Sequence, residues 1–146
     1  MSDPLLRRVA LGLALAGVAV AGYLTWVHYE DLEAVCVGGG GGCERVQNSE
    51  YAELAGIPVA VLGLIGYLGI GASLLIRGEV ARMAGALLSL AGAGFSVYLT
   101  YLELFEIEAI CQWCVASAVL MVALAVVTVL RLGRDDDAGV RAHSSG

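Results

Sequence analysis

The feature that most constrains this chain is the collection of its apolar residues into a few long runs separated by short polar breaks. Leu5 to Val27 has no charge beyond Arg7 and Arg8 near its start. As a helix it extends about 34 Å at roughly 1.5 Å per residue, enough to cross a hydrocarbon core of about 30 Å. Comparable runs cover residues 57–76, 83–102 and 112–130, each close to the roughly 20 residues a span requires. With 59% of residues hydrophobic and 15% charged, a soluble domain would spread its apolar residues as amphipathic stripes instead. Inside a bilayer the backbone has no water to bond, so each run is driven to helix. The first run exceeds the ~7–15 residues of a signal-peptide core and is read as a retained span. The expected fold is therefore all-α: an integral membrane bundle of four transmembrane helices at about 5–27, 57–76, 83–102 and 112–130.

Orientation follows from arginine, since the chain has no lysine. Arg7 and Arg8 precede the first run, Arg77 and Arg82 separate the second from the third, and Arg131, Arg134 and Arg141 follow the fourth. By the positive-inside bias both termini are cytoplasmic. The opposite face carries residues 28–56, with Arg45 among several acids, and the short segment of Glu103, Glu106 and Glu108. All four cysteines fall on that outer face, where disulfides persist. The net charge of -6 is no signature of nucleic-acid binding. Residues 133–146, with the run Asp135 to Asp137, read as a disordered, solvated cytoplasmic tail.

The cysteines form two pairs. Cys111, Gln112, Trp113 and Cys114 make a C-x-x-C at the start of the fourth run. Residues three apart share a helix face, and the positive end of the helix dipole stabilises a thiolate there. A static bridge within one turn would constrain little. Cys36 and Cys43 are separated by Val37 and the glycines Gly38 to Gly42. Such a spacer has no shape of its own, so a bridge across it is a poor staple. It suits a mobile dithiol that must meet two partners, because thiol-disulfide exchange needs one sulfur to approach another. The bland alternative for the tract is a tolerant surface loop. A four-cysteine zinc site would want spacers of two to four residues and reduced thiolates, so no metal site is expected.

After Cys43, Ser49 reads as an N-cap and Gly56 as a helix stop, predicting a short extracytoplasmic interfacial helix over Glu50 to Ala55 that could roof a cavity. Pro58 suits the first turn of the next helix. Gly63, Gly66 and Gly69, and Gly85, Ser89 and Gly92, permit close helix packing or leave room for a flat ring. No charged residue is expected deep within a span. His28 and Trp26 read as interface anchors.

Taken together, these residues resemble the vitamin K epoxide reductase family in its bacterial and archaeal branch. The resemblance runs from the first span to the fourth. It rests on Cys36 and Cys43, on Ser49-Glu50-Tyr51-Ala52, on Gly56-Ile57-Pro58 leading to Leu62-Gly63 and Tyr67, on Val97-Tyr98-Leu99, and on Cys111-Gln112-Trp113-Cys114. It implies a four-helix bundle around a quinone (menaquinone, ubiquinone or a relative) and a role in disulfide formation in the cell membrane. Carried over by position, Cys36 would exchange with a reduced thioredoxin-like, DsbA-like partner. Cys43 would attack the bridge at Cys111, and Cys114 would pass electrons to the quinone. Many relatives carry a fused thioredoxin-like domain; here the partner is expected to be a separate protein. Ser49 matches a family serine beside the cysteines, while Trp113 is expected only to pack. Animal members place an asparagine and a tyrosine near the quinone oxygens where this chain has Val59 and Ala118, which favours plain quinone reduction over epoxide reduction. The alternatives are a true vitamin K epoxide reductase and, from another class, a non-catalytic membrane scaffold with structural disulfides.

Overall fold

The computed structural model describes residues 3–32, 35–36 and 42–146 of the chain. Helix α1 runs Asp3–Tyr29, α2 Gly42–Gln47, α3 Val59–Leu75, α4 Glu79–Leu102 and α5 Gln112–Ser144. A 3-10 turn at Glu50–Ala52 and a two-stranded hairpin, β1 Glu53–Leu54 and β2 Ile57–Pro58, link α2 to α3. A π turn over Glu103–Ile107 ends α4.

The fold is all-α apart from this hairpin. Three segments, α1, α4 with its π turn, and α5, are long and apolar enough to cross a membrane, and α3 is a shorter apolar helix. Leu15, Leu68, Leu87 and Val119 stand exposed on the outer faces, an apolar exterior of the kind lipid requires and water does not.

The helices close a ring in which α1 packs on α3 and α5, and α4 packs on the same two. Small residues set the closeness. Ala10, Ala14, Gly17 and Ala21 line the buried face of α1 at helical spacing. The wholly buried Tyr67 of α3 lays its ring against Gly17, where any Cβ would overlap it. Across the ring, Gly85 meets Ser73, Gly92 meets Met121, and Ser89 Oγ bonds Thr128 Oγ1 at 2.7 Å. The packing role expected for these glycines holds at Gly85 and Gly92. It holds at Gly69 too, where a Cβ would stand 3.3 Å from Leu88 Cδ1, and Gly63 lies in ordinary contact range of Ala21, whereas Gly66 faces open space.

One end of the bundle is tied by arginines. Arg7 Nε donates to the carbonyl of Leu74 at 2.8 Å, Arg131 pairs with Asp3 at 3.2 Å, and Arg82 pairs with Asp135. The last contact accompanies a departure from the sequence expectation. Residues 133–146 were expected to be disordered, yet α5 continues without a break to Ser144, past both Gly133 and Gly139. A single helix carries its own backbone bonds forward, and Asp135 has an anchor on α4.

The interfacial helix is also replaced. Only Glu50–Ala52 is helical, as a 3-10 turn. Ser49 Oγ turns back to donate to the Val46 carbonyl at 2.7 Å and caps nothing ahead of it. Ala55 at φ 54° and Gly56 at φ 81° form a two-residue turn with both residues left-handed, the geometry that matches strand twist in a tight hairpin. The glycine read as a helix stop is thus a hairpin turn. Leu54 pairs with Ile57 and Glu53 with Pro58, so Ile57 and Pro58 precede α3 rather than open it.

Candidate functional site

The cysteines meet at the end of the bundle opposite the arginine ties. Cys111 occupies the N-cap position of α5, its backbone extended at φ -93°, ψ 111°. Its sulfur accepts the Cys114 amide N–H at 3.4 Å, so the first turn of α5 folds around the C-x-x-C. Cys36 and Cys43 are joined as a disulfide with a Cα–Cα distance of 6.2 Å. Cys43, Val46, Ile107 and Cys111 form one buried cluster, with Cys36, Trp113 and Cys114 packed on its edge. Both pairs therefore share a single apolar pocket of packing.

Gly42 makes that approach possible. A Cβ built there would lie 2.5 Å from the carbonyl oxygen of Ile110, a backbone atom that cannot swing aside. Residues 37–41, on which the expectation of a shapeless spacer rests, lie outside the described residues. Trp113 does more than pack. Its indole Nε1 donates to the carbonyl of Val35 at 2.7 Å.

Beneath the cysteines lies a cavity of about 170 Å³ enclosed by α1, α3, α4 and α5. Leu24, Leu62, Leu88, Phe95, Leu99 and Met121 make most of its wall apolar. Ser49, Tyr51 and Ala52 line it where the sequence reading expected a roof. Every residue expected at a ring site, Ser49, Val59, Cys114 and Ala118, lines this one space. Tyr67 reaches it from α3 and donates through its hydroxyl to the Ser117 carbonyl at 2.7 Å. Desolvation raises the Tyr51 phenol above its ordinary range, and the carboxylates of Glu50 and Glu106 push the same way. It stays a proton-bearing donor.

Glu103 also lines the cavity. Its carboxylate accepts the Cys111 amide N–H at 3.1 Å and the residue is 4% exposed. The sequence placed Glu103 among the acids of an outer loop and expected no charge inside the bundle. The π turn overturns this by rolling the residue inward. Among the described residues the acids that stay outside, Glu106 and Glu108, are those the loop reading fits.

Two comparisons bear on this arrangement. Residues 8–129 match the vitamin K epoxide reductase family, a stretch that takes in most of α1, all of α3 and α4, the first half of α5 and all four cysteines. The chain belongs to that family. The thiol-disulfide oxidoreductase LTO1 of Arabidopsis thaliana is 30% identical over 118 residues, which cover 73% of this chain and 31% of that protein. The chain thus spans about a third of the length of this relative.

The cavity somewhat exceeds the ~150 Å³ apolar cavity that takes up a benzene ring. Gly63, Gly66 and Gly92 are among its wall residues, and Cys114 stands at its edge. Val59 and Ala118 offer no hydrogen bond there. The hydroxyl-bearing residues on the wall are instead Ser49, Tyr51, Tyr67, Ser96, Thr100 and Ser117.

Proposed function

We propose that the protein is a membrane thiol:quinone oxidoreductase that supplies oxidising equivalents for disulfide formation outside the cytoplasm. One observation carries the reading: the Cys36–Cys43 disulfide packs on the C-x-x-C, and Cys114 lies on the wall of an apolar cavity. Disulfide exchange needs sulfur-on-sulfur approach, and quinone chemistry needs a dry, flat pocket beside the last thiol.

Electrons would enter from the dithiol of a thioredoxin-like partner. A partner thiolate attacks Cys36, the Cys36–Cys43 bond breaks, and the partner leaves as a disulfide. Cys43 then attacks Cys111, opening the Cys111–Cys114 bond, and Cys36 resolves the mixed disulfide. The loop pair is again oxidised and the C-x-x-C now holds two thiols. A quinone bound in the cavity would supply a two-electron, two-proton acceptor. Cys111 and Cys114 give up both and close again to a disulfide. Glu103 holds Cys111 through its amide, and Ser49 and Tyr51 would flank a bound ring. By the arginine distribution all four spans cross the cell membrane with both termini cytoplasmic and the cysteines outside. The apolar Val59 and Ala118 suit plain quinone reduction better than epoxide opening, which needs polar help at the oxygen.

The test is quinone absorbance in detergent micelles after adding a reduced thioredoxin-like protein to the wild type and to Cys114→Ser. Quinone loss with the wild type alone is the expected result. No loss with several quinones, and none with a small dithiol as donor, would leave the cysteines as staples of a membrane scaffold.

A further inference from the structure

We infer that Tyr23 and Trp113 are positioning residues that clasp the backbone of Val35 and so hold Cys36, with the disulfide it carries, against the C-x-x-C. The inference rests on the electron path proposed above and adds to it how the loop pair is kept in reach.

Val35 is gripped on both edges of its main chain. Its N–H donates to the hydroxyl of Tyr23 on α1 at 3.0 Å, and its carbonyl accepts the indole Nε1–H of Trp113 on α5 at 2.7 Å. The two rings lean together with centroids 5.1 Å apart and planes at 51°, so the polar tips work as one jaw. The Val35 side chain is 69% exposed. The Val35 side chain therefore adds little, and beside the packed Cys36 the two hydrogen bonds hold this backbone.

The place of each residue matters. Val35 directly precedes Cys36, and Trp113 stands between Cys111 and Cys114. The acceptor turn itself thus carries the group that grips the donor arm. On the other arm of the same disulfide, Gly42 presses on Ile110, the residue before Cys111. Both arms are fixed to the segment that Cys43 must attack. Exchange requires a sulfur to approach a sulfur, and holding the two in range turns a loop search into a near-contact encounter.

The step the clasp serves is balanced within the chain. The Cys43 thiolate forms a bond to Cys111 as the Cys111–Cys114 bond breaks and Cys114 leaves as thiolate. The Cys36 thiolate then bonds Cys43 and releases Cys111. Two electrons pass from the loop pair to the C-x-x-C.

The encounter can be timed without quinone or partner. In a Cys43→Ser, Cys114→Ser protein in micelles, the rate at which copper-phenanthroline closes a Cys36–Cys111 disulfide, read by mass spectrometry, reports how often the clasped arm meets the C-x-x-C. Trp113→Phe and Tyr23→Phe keep each ring and remove only its polar tip. Each should slow closure about three- to tenfold, the weight of one ordinary hydrogen bond. Val35→Ala should leave the rate unchanged. Unchanged rates in both phenylalanine variants, or an equal slowing by Val35→Ala, would overturn the clasp. Failure of the Cys36–Cys111 bond to form in that parent would overturn the clasp, and failure of a Cys43–Cys111 bond to form in a Cys36→Ser, Cys114→Ser protein would overturn the electron path itself, and the clasp with it. Because the two phenylalanine variants approach from different helices, misfolding of one leaves the other to decide.

Discussion

The Glu103 carboxylate and the Cys111 amide N–H are joined by a hydrogen bond of 3.1 Å between the end of α4 and the start of α5. An amide at the head of a helix has no partner within the helix, and this carboxylate accepts it. It also fixes the height at which the C-x-x-C enters the cluster of Cys43 and Ile107.

That bond separates two substitutions of similar size. Glu103→Gln retains an oxygen acceptor and should unfold within a few degrees of the wild type. Glu103→Leu removes the acceptor of the Cys111 amide and should cost about 1–3 kcal/mol. Thermal unfolding in detergent micelles decides, and an equal loss for both variants would mean that the charge, not the acceptor, matters.

Gly42→Ala forces a methyl group toward the Ile110 carbonyl oxygen, 2.5 Å away. Because that oxygen is backbone, Cys43 should be displaced and partner-driven turnover should fall at least about tenfold, the penalty that small misplacements exact on a reacting pair. Gly22→Ala, where a Cβ meets nothing within 4 Å, is the control. It should gain roughly 0.5–1 kcal/mol as a helix residue.

Gly17→Ala puts a methyl group into the ring of Tyr67, which is fully buried. Overpacking of this kind should cost about 1–3 kcal/mol. Tyr67→Phe keeps the ring but removes the hydroxyl that donates to Ser117, and should cost about 1 kcal/mol. Unfolding measurements showing Gly17→Ala to be neutral would contradict the close approach of α1 and α3.

Arg131 is 7% exposed and its Nε reaches Asp3 at 3.2 Å. Asp3→Asn should destabilise the fold by about 1 kcal/mol, less than for a sealed ion pair because solvent reaches Asp3. A loss that vanishes when Arg131→Met is added would show that the cost lies in the orphaned guanidinium.

Much of the site was legible because its signals are local. The C-x-x-C at a helix start and the cysteine pair after the first run are read from spacing alone. Ser49, Val59, Cys114 and Ala118 could be named because the family resemblance carries them, and all four line the cavity. Glu103 was missed: in sequence it is one of three glutamates near a span end, and only the π turn tells it from Glu106 and Glu108. Val35 had no signal at all, since it acts through its backbone.

By itself the sequence determined the apolar runs, their helical state and the placing of both cysteine pairs at run ends. Hydropathy and spacing act over short stretches, and the backbone in an apolar medium has few other choices. The tertiary structure alone decided which carboxylate turns inward, how Ala55 and Gly56 fold a hairpin in place of a helix end, and that α5 continues to Ser144. It also decided that Trp113 grips Val35, 78 residues away in the chain. Contacts of that range depend on how four helices pack in a ring, where a missing Cβ at Gly17 or Gly42 sets the distance between elements that no local pattern connects.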